Sequence, residues 1–258
     1  MAMKNVTFDM KGKVAVVVGG TTGIGKAIAM EYARWGANVI AVSRRKEKCK
    51  EIADEIRKEG VETLEMAVDA QNMEQLNQLR DKVVEKFGHI DILVNAQGIN
   101  RRHDVEEFPM EEYDQVMDTN CRSLFMSTQV IGKQMIKQGY GKIINIASMG
   151  AYLGLNRVVP YCGSKGAVMQ MTKGFAVEWA KYNIQVNAIA PGYFKTELTS
   201  GLHHDKEREE AVMNRNPMKR WGNVEELTGA AIFLATDASS FVTGISIPVD
   251  GGMLAMGV

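Results

Sequence analysis

The chain has 258 residues, with 31 basic and 31 acidic side chains and a formal net charge of zero, so no long-range field favours nucleic acid or an anionic membrane. That length suffices for one large domain burying roughly 70–75% of the surface its unfolded form exposes, without disulfides or metal. Three widely spaced cysteines, Cys49, Cys121 and Cys162, form no C-x-x-C pair and read as reduced thiols of a reducing compartment.

From the N-terminus, residues 1–13 lack the apolar stretch of a signal peptide, and the longest apolar runs, such as 14–18, are too short to cross a bilayer. A cytoplasmic protein with a small-molecule substrate is expected. Strands are predicted at 14–18, 38–42, 63–68, 90–95, 142–147, 184–190 and 245–249, where β-branched residues cluster. Between them, apolar residues recur at three- and four-residue spacing over 26–35, 46–58, 73–87, 113–137 and 164–181, which predicts helices. Nearly continuous apolar strands alternating with helices imply an α/β, Rossmann-type, doubly wound parallel sheet of about seven strands, helices on both faces, in a single domain over 1–258. The charged stretch 194–217, with Gly201, His203 and His204, breaks this rhythm. It reads either as a solvated surface helix or as a lid over a ligand site.

After the first strand, Gly19-Gly20-Thr21-Thr22-Gly23-Ile24-Gly25 leads directly into a helix. Glycine admits backbone angles closed to other residues, and a helix N-terminus offers unpaired N–H groups to a pyrophosphate. The spacing is G-x-x-x-G-x-G, and its place between strand and helix favours dinucleotide binding. The second strand ends in Ser43-Arg44-Arg45 with no carboxylate to accept ribose hydroxyls, so NADP(H) is favoured over NAD(H): a guanidinium pairs with a 2′-phosphate. Asp69 and Ala70, closing the third predicted strand, are placed at the adenine.

Tyr161 and Lys165 stand four residues apart, hence on one helix face. A free phenol has a pKa near 10, and a nearby ammonium favours the phenolate, which makes Tyr161 a candidate acid–base group. Ser148 follows the strand at 142–147, at the sheet edge where ligands bind in open α/β folds, and its hydroxyl can hold a substrate oxygen. Asn120 is a candidate anchor for a water linked to Lys165. No metal is expected: the adjacent His203 and His204, followed by Asp205, point in different directions, and H-E-x-x-H is absent.

Taken in order, Gly19-x-x-x-Gly23-Ile24-Gly25, Asn95-Ala96-Gln97-Gly98, Asn120, Ser148, Tyr161-x-x-x-Lys165 and Pro191-Gly192 make the chain resemble the short-chain dehydrogenase/reductase family from about Lys11 to Gly252. The resemblance implies a Rossmann-type fold and a Ser–Tyr–Lys–Asn catalytic tetrad. It implies cofactor contacts from Asn95, Ala96, Gly98 and Lys165, with Pro191, Gly192, Phe194 and Thr196 at the nicotinamide end. A homotetramer is the family's usual state. Two positions depart from the family pattern, Val18 for Thr and Gln97 for Ala. Segments 98–102, 190–197 and 220–222, with the ending Gly251-Gly252-Met253, are similar to the gluconate 5-dehydrogenase and 2-dehydro-3-deoxy-gluconate 5-dehydrogenase branch. Arg101 and Arg102 are then candidates to hold a sugar-acid carboxylate, with Asn156 and Tyr193 on its hydroxyls. The alternatives are another ketone, a 3-oxoacyl thioester or a polyol as substrate, or a nucleotide-binding regulatory protein without turnover.

Overall fold

The first strand, β1 (Val14–Val18), is buried along its whole length, as a run of four valines and an alanine requires. Its alternation sends Val14, Val16 and Val18 into one core and Ala15 and Val17 into the other. The computed structural model describes residues 7–199 and 206–256. Among them β2 (Asn38–Val42), β3 (Ile92–Asn95), β4 (Gly141–Ile146), β5 (Ile184–Pro191) and β6 (Ser246–Val249) join β1 in one sheet of order β2-β1-β3-β4-β5-β6. All five pairings are parallel. One face packs on α1 (Gly23–Arg34), α2 (Lys46–Lys58) and α8 (Thr228–Ala235). The other packs on α3 (Met73–Phe87), α5 (Ser123–Gln138) and α6 (Val159–Trp179). The chain order reverses at β1, between β2 and β3, which opens a crevice at the carboxyl ends of the strands.

Six strands replace the seven expected. Residues 63–68 run beside β2 but pair only through an isolated bridge between Ser43 and Ala67. The Thr63 hydroxyl donates to the Val39 carbonyl at 2.5 Å, taking an acceptor that a ladder would give to a backbone N–H. The predicted helix 113–137 is also divided. It becomes α4 (Met110–Met117), a π-helical turn (Asp118–Arg122) and α5, and Asn120 sits in the turn. Such turns mark places where a helix is deformed for a specific contact. Helix α7 (Lys206–Arg215) confirms a helix in the charged segment, while Gly201, His203, His204 and Asp205 lie outside the described residues.

Candidate active site and dinucleotide cleft

The carboxyl ends of β1, β3, β4 and β5 border a cleft of about 580 Å³. The glycine turn forms its floor. Gly19 has φ +75°, and a Cβ there would stand 2.6 Å from the Gln97 nitrogen; at Gly25 it would collide with the Gly19 carbonyl oxygen. These glycines bring two loops together closely enough for a ligand to reach main chain. Thr22, the N-cap of α1, makes no side-chain capping bond, and the first turn carries no acid, so the N–H groups there stay available to an anion. Arg44 and Arg45 line the rim beyond. A glycine cradle, an uncapped helix start and two guanidinium groups match the shape and charge of a dinucleotide phosphate chain.

Ser148, Tyr161 and Lys165 line the same cleft, with Ile146 between strand and helix. Ser148 follows β4 and caps a short 3₁₀ turn, its Oγ accepting the Gly150 N–H at 3.1 Å. Pro160 lies in the first turn of α6, a position that needs no N–H, and sets Tyr161 and Lys165 on one face. Lys165 Nζ donates to the Ile146 carbonyl at 2.7 Å and lies 5.8 Å from the centre of the Tyr161 ring.

Burial lowers the Lys165 pKa to about 8, with Cys121 opposing. Burial likewise raises the Tyr161 phenol above its ordinary value, against the hydrogen bond from Ser148. The expected lowering of the phenol by Lys165 is therefore not seen among the protein's own groups.

Asn120 stands one layer behind the lining and is fully buried. Its Oδ1 accepts the Ile99 N–H at 2.8 Å, and its Nδ2 donates to the Ile99 carbonyl at 3.0 Å and to Ser164 Oγ at 2.9 Å. The side chain is thus wholly committed to bracing the loop after β3. Gly98 in that loop lets Asn120 and Lys165 approach: a Cβ there would lie 3.4 Å from Asn120 Oδ1 and 3.5 Å from Lys165 Nζ.

Of the other residues named from the sequence, Thr21, Gly23, Ile24, Ser43, Asp69, Ala70, Ala96, Pro191, Gly192, Phe194 and Thr196 all line the cleft. Asn95 does not. It is fully buried below, donating to Thr128 Oγ1 and Asn145 Oδ1, each at 2.9 Å, and accepting from Ser127 Oγ at 2.6 Å. Its reach is to α5 and β4, so it holds elements together beneath the loop. Arg101, Arg102, Asn156 and Tyr193 are also outside the lining. Arg101 donates to Gln115 Oε1 at 3.2 Å and Arg102 to the Asn156 carbonyl at 3.3 Å. Tyr193 packs edge-on against Trp221, 5.7 Å between ring centres, and borders a smaller cavity of about 220 Å³.

Several lining residues were given no role from the sequence: Gln71, Gln97, Ile99, Thr119, Ser123 and Glu197. Gln97 and Glu197 sit inside recognised segments, while Thr119 and Ser123 arrive only through the π-turn. Among the described residues no three His, Cys, Asp or Glu side chains gather to hold a metal ion, and the three cysteines are unpaired.

Residues 18–254 match the family model described as enoyl-(acyl carrier protein) reductase. The chain is 44% identical over 250 residues to a 2-dehydro-3-deoxy-D-gluconate 5-dehydrogenase of Dickeya dadantii, covering 96% of this chain and 98% of that protein. It is 38% identical over 250 residues to a 5-keto-D-gluconate 5-reductase of Escherichia coli, covering 97% and 98%. A crystal structure of a gluconate 5-dehydrogenase from Burkholderia cenocepacia, in complex with NADP and tartrate, superposes with TM-score 0.94 at 38% identity, over 98% of this chain and 99% of that one.

Proposed function

Since the chain belongs to the short-chain dehydrogenase/reductase family, an NAD(P)-binding family of oxidoreductases acting on CH–OH groups, we propose that it interconverts a sugar acid and its keto form with NADP(H), in the manner of gluconate and 5-ketogluconate. The observation that carries the reading is the meeting of Ser148, Tyr161 and Lys165 on one wall of a cleft whose floor is the glycine turn. When bound, the dinucleotide supplies or takes up the hydride. Tyr161 Oη gives the proton to the carbonyl oxygen in reduction and takes it in oxidation. Ser148 Oγ holds that oxygen as charge develops on it. Lys165 holds the nicotinamide ribose and replenishes the Tyr161 proton. Asn120, its side chain committed to Ile99 and Ser164, keeps the loop after β3 and helix α6 in register around Lys165.

Arg44 and Arg45 on the rim, with no acid at the end of β2, support NADP over NAD. The NADP named in the Burkholderia structure agrees. A sugar acid is supported by the names of both curated relatives. A lid over 194–217 is supported by its described parts: Phe194, Thr196, Glu197 and Thr199 line the cleft, and Trp221 Nε1 donates to Glu209 Oε1 of α7 at 2.8 Å. Exposed Phe125 on α5 and Val177 on α6 support the homotetramer through these helices. Unpaired cysteines and the lack of any described helix long and apolar enough to cross a membrane agree with a cytoplasmic enzyme.

A panel of gluconate, 5-ketogluconate, 2-dehydro-3-deoxy-gluconate, a 3-oxoacyl thioester and neutral polyols tests the substrate class. The expected result is a kcat/KM for a sugar acid at least about 10²-fold above the others. In the Tyr161→Phe protein kcat drops by about 10²- to 10⁴-fold while the NADPH Kd stays within about twofold. A neutral ketone or thioester leading the panel removes the sugar-acid reading, and a wild-type protein that binds NADPH without turnover on any member removes the enzyme.

A further inference from the structure

We propose that Glu197 sets cofactor specificity: its carboxylate clasps Arg45 across the mouth of the cleft and competes with the 2′-phosphate of NADP for that guanidinium. The proposal rests on the reading above that Arg45 meets the 2′-phosphate. The two residues come from opposite rims. Arg45 follows β2 and is the N-cap of α2, whereas Glu197 belongs to a 3₁₀ turn (Glu197–Thr199) after β5, three strands away in the sheet from β1. Glu197 Oε2 lies 3.9 Å from Arg45 Nη1, and Arg45 Nη2 donates to Thr22 Oγ1 at 3.3 Å. The guanidinium is thereby drawn over the phosphate turn and tied to both rims.

The turn that delivers the carboxylate is well built. Thr199 Oγ1 donates to the Phe194 carbonyl at 2.6 Å and accepts the Thr196 N–H at 3.0 Å. Thr196 in turn packs on the glycine turn, its Cβ and Cγ2 at 3.6 Å from the position of a Cβ on Gly23. Arg45 and Glu197 are both well exposed, with side chains 52% and 71% accessible, so their attraction is screened and weak. A displaceable clasp needs that weakness. A phosphomonoester carries close to two negative charges at neutral pH and three acceptor oxygens, so it displaces one distant carboxylate. NAD lacks the phosphate and leaves the clasp closed. Glu197 therefore narrows the margin by which NADP is preferred.

Fluorescence titration of NADPH and NADH measures the clasp directly, as the ratio of the two Kd values. Glu197→Gln is expected to tighten NADPH about two- to fivefold relative to NADH, the range an exposed ion pair supplies. In an Arg45→Ala background the same substitution is expected to leave the ratio unchanged. A ratio unmoved by Glu197→Gln in the wild-type background overturns the clasp, and so does a shift that persists without Arg45, which would be a general field effect. Arg45→Ala alone tests the underlying reading: if it leaves the NADPH preference intact, Arg45 is not the phosphate site, a failure seen before Glu197 is touched.

Discussion

Lys165 and Lys142 are both almost wholly buried, 4% and 1% exposed, and burial lowers the pKa of each to about 8. They sit at opposite ends of the same sheet. Lys165 at the carboxyl end donates to a main-chain carbonyl and looks into the cleft beside Tyr161 and Ser148. Lys142, near the start of β4 at the amino end, donates to Ser239 Oγ at 3.3 Å, with Asp237 supporting its charge and Lys13 opposing it. Around it, Lys13 reaches Tyr140, and Asp91 caps the first N–H of β1. None of these residues lines either of the two clefts described above. A displaced pKa marks a candidate, but partners and access decide whether the displaced proton can be used.

Exchanging either lysine for methionine breaks the comparison at its two ends. With saturating NADPH and substrate, Lys165→Met should lower kcat by about 10²- to 10⁴-fold. Lys142→Met should leave kcat within about twofold, because it touches no lining residue. Equal losses in both variants would show that the amino end also feeds the chemistry.

Between the two ends runs the buried ladder of Asn95, Asn145, Thr128 and Thr172. Asn95→Leu strands its partners without water and should cost about 2–4 kcal/mol in urea unfolding. A loss below about 0.5 kcal/mol would place Asn95 in cofactor contact after all.

The pH profile sharpens the contrast. Below about pH 8 the Tyr161–Lys165 pair keeps its proton, so kcat/KM for reduction should be level there and fall above it; oxidation should rise through the same range.

Stability should follow both buried lysines, and Lys142 reports it without touching the cleft. Its folded pKa of about 8 lies below the ordinary 10.5, so the folded protein carries the full penalty of a desolvated cation below pH 8. Between these values the unfolded chain binds more protons, and stability rises with pH. Lys142→Met should therefore stabilise the protein by about 1 kcal/mol at pH 7, an advantage that fades toward pH 10.5 in calorimetry.

Much of this was legible in the chain. Six strands, the glycine turn and the Tyr161–Lys165 pair depend on local spacing: periods of two and 3.6 residues, and glycine where two backbones meet. Other features depend on partners distant in the chain. Residues 63–68 run along β2 yet pair through one bridge, with the Thr63 hydroxyl on the Val39 carbonyl. Arg101 and Arg102 lie outside the cleft lining and each reaches a partner distant in the chain, Gln115 and the Asn156 carbonyl. The Asn95 side chain, within a motif linked to the cofactor, bonds Thr128 and Asn145 below the cleft.

By itself, then, the sequence determined the class of fold, the glycine turn and the Tyr161–Lys165 pair, because each is written within a few neighbouring residues. Only the tertiary structure decided which polar groups reach the cleft and which are spent inside: a donor or acceptor has a limited number of partners, and residues distant in the chain compete for them. The contact of Glu197 with Arg45, 152 positions apart in the numbering (197 − 45), belongs wholly to that second class.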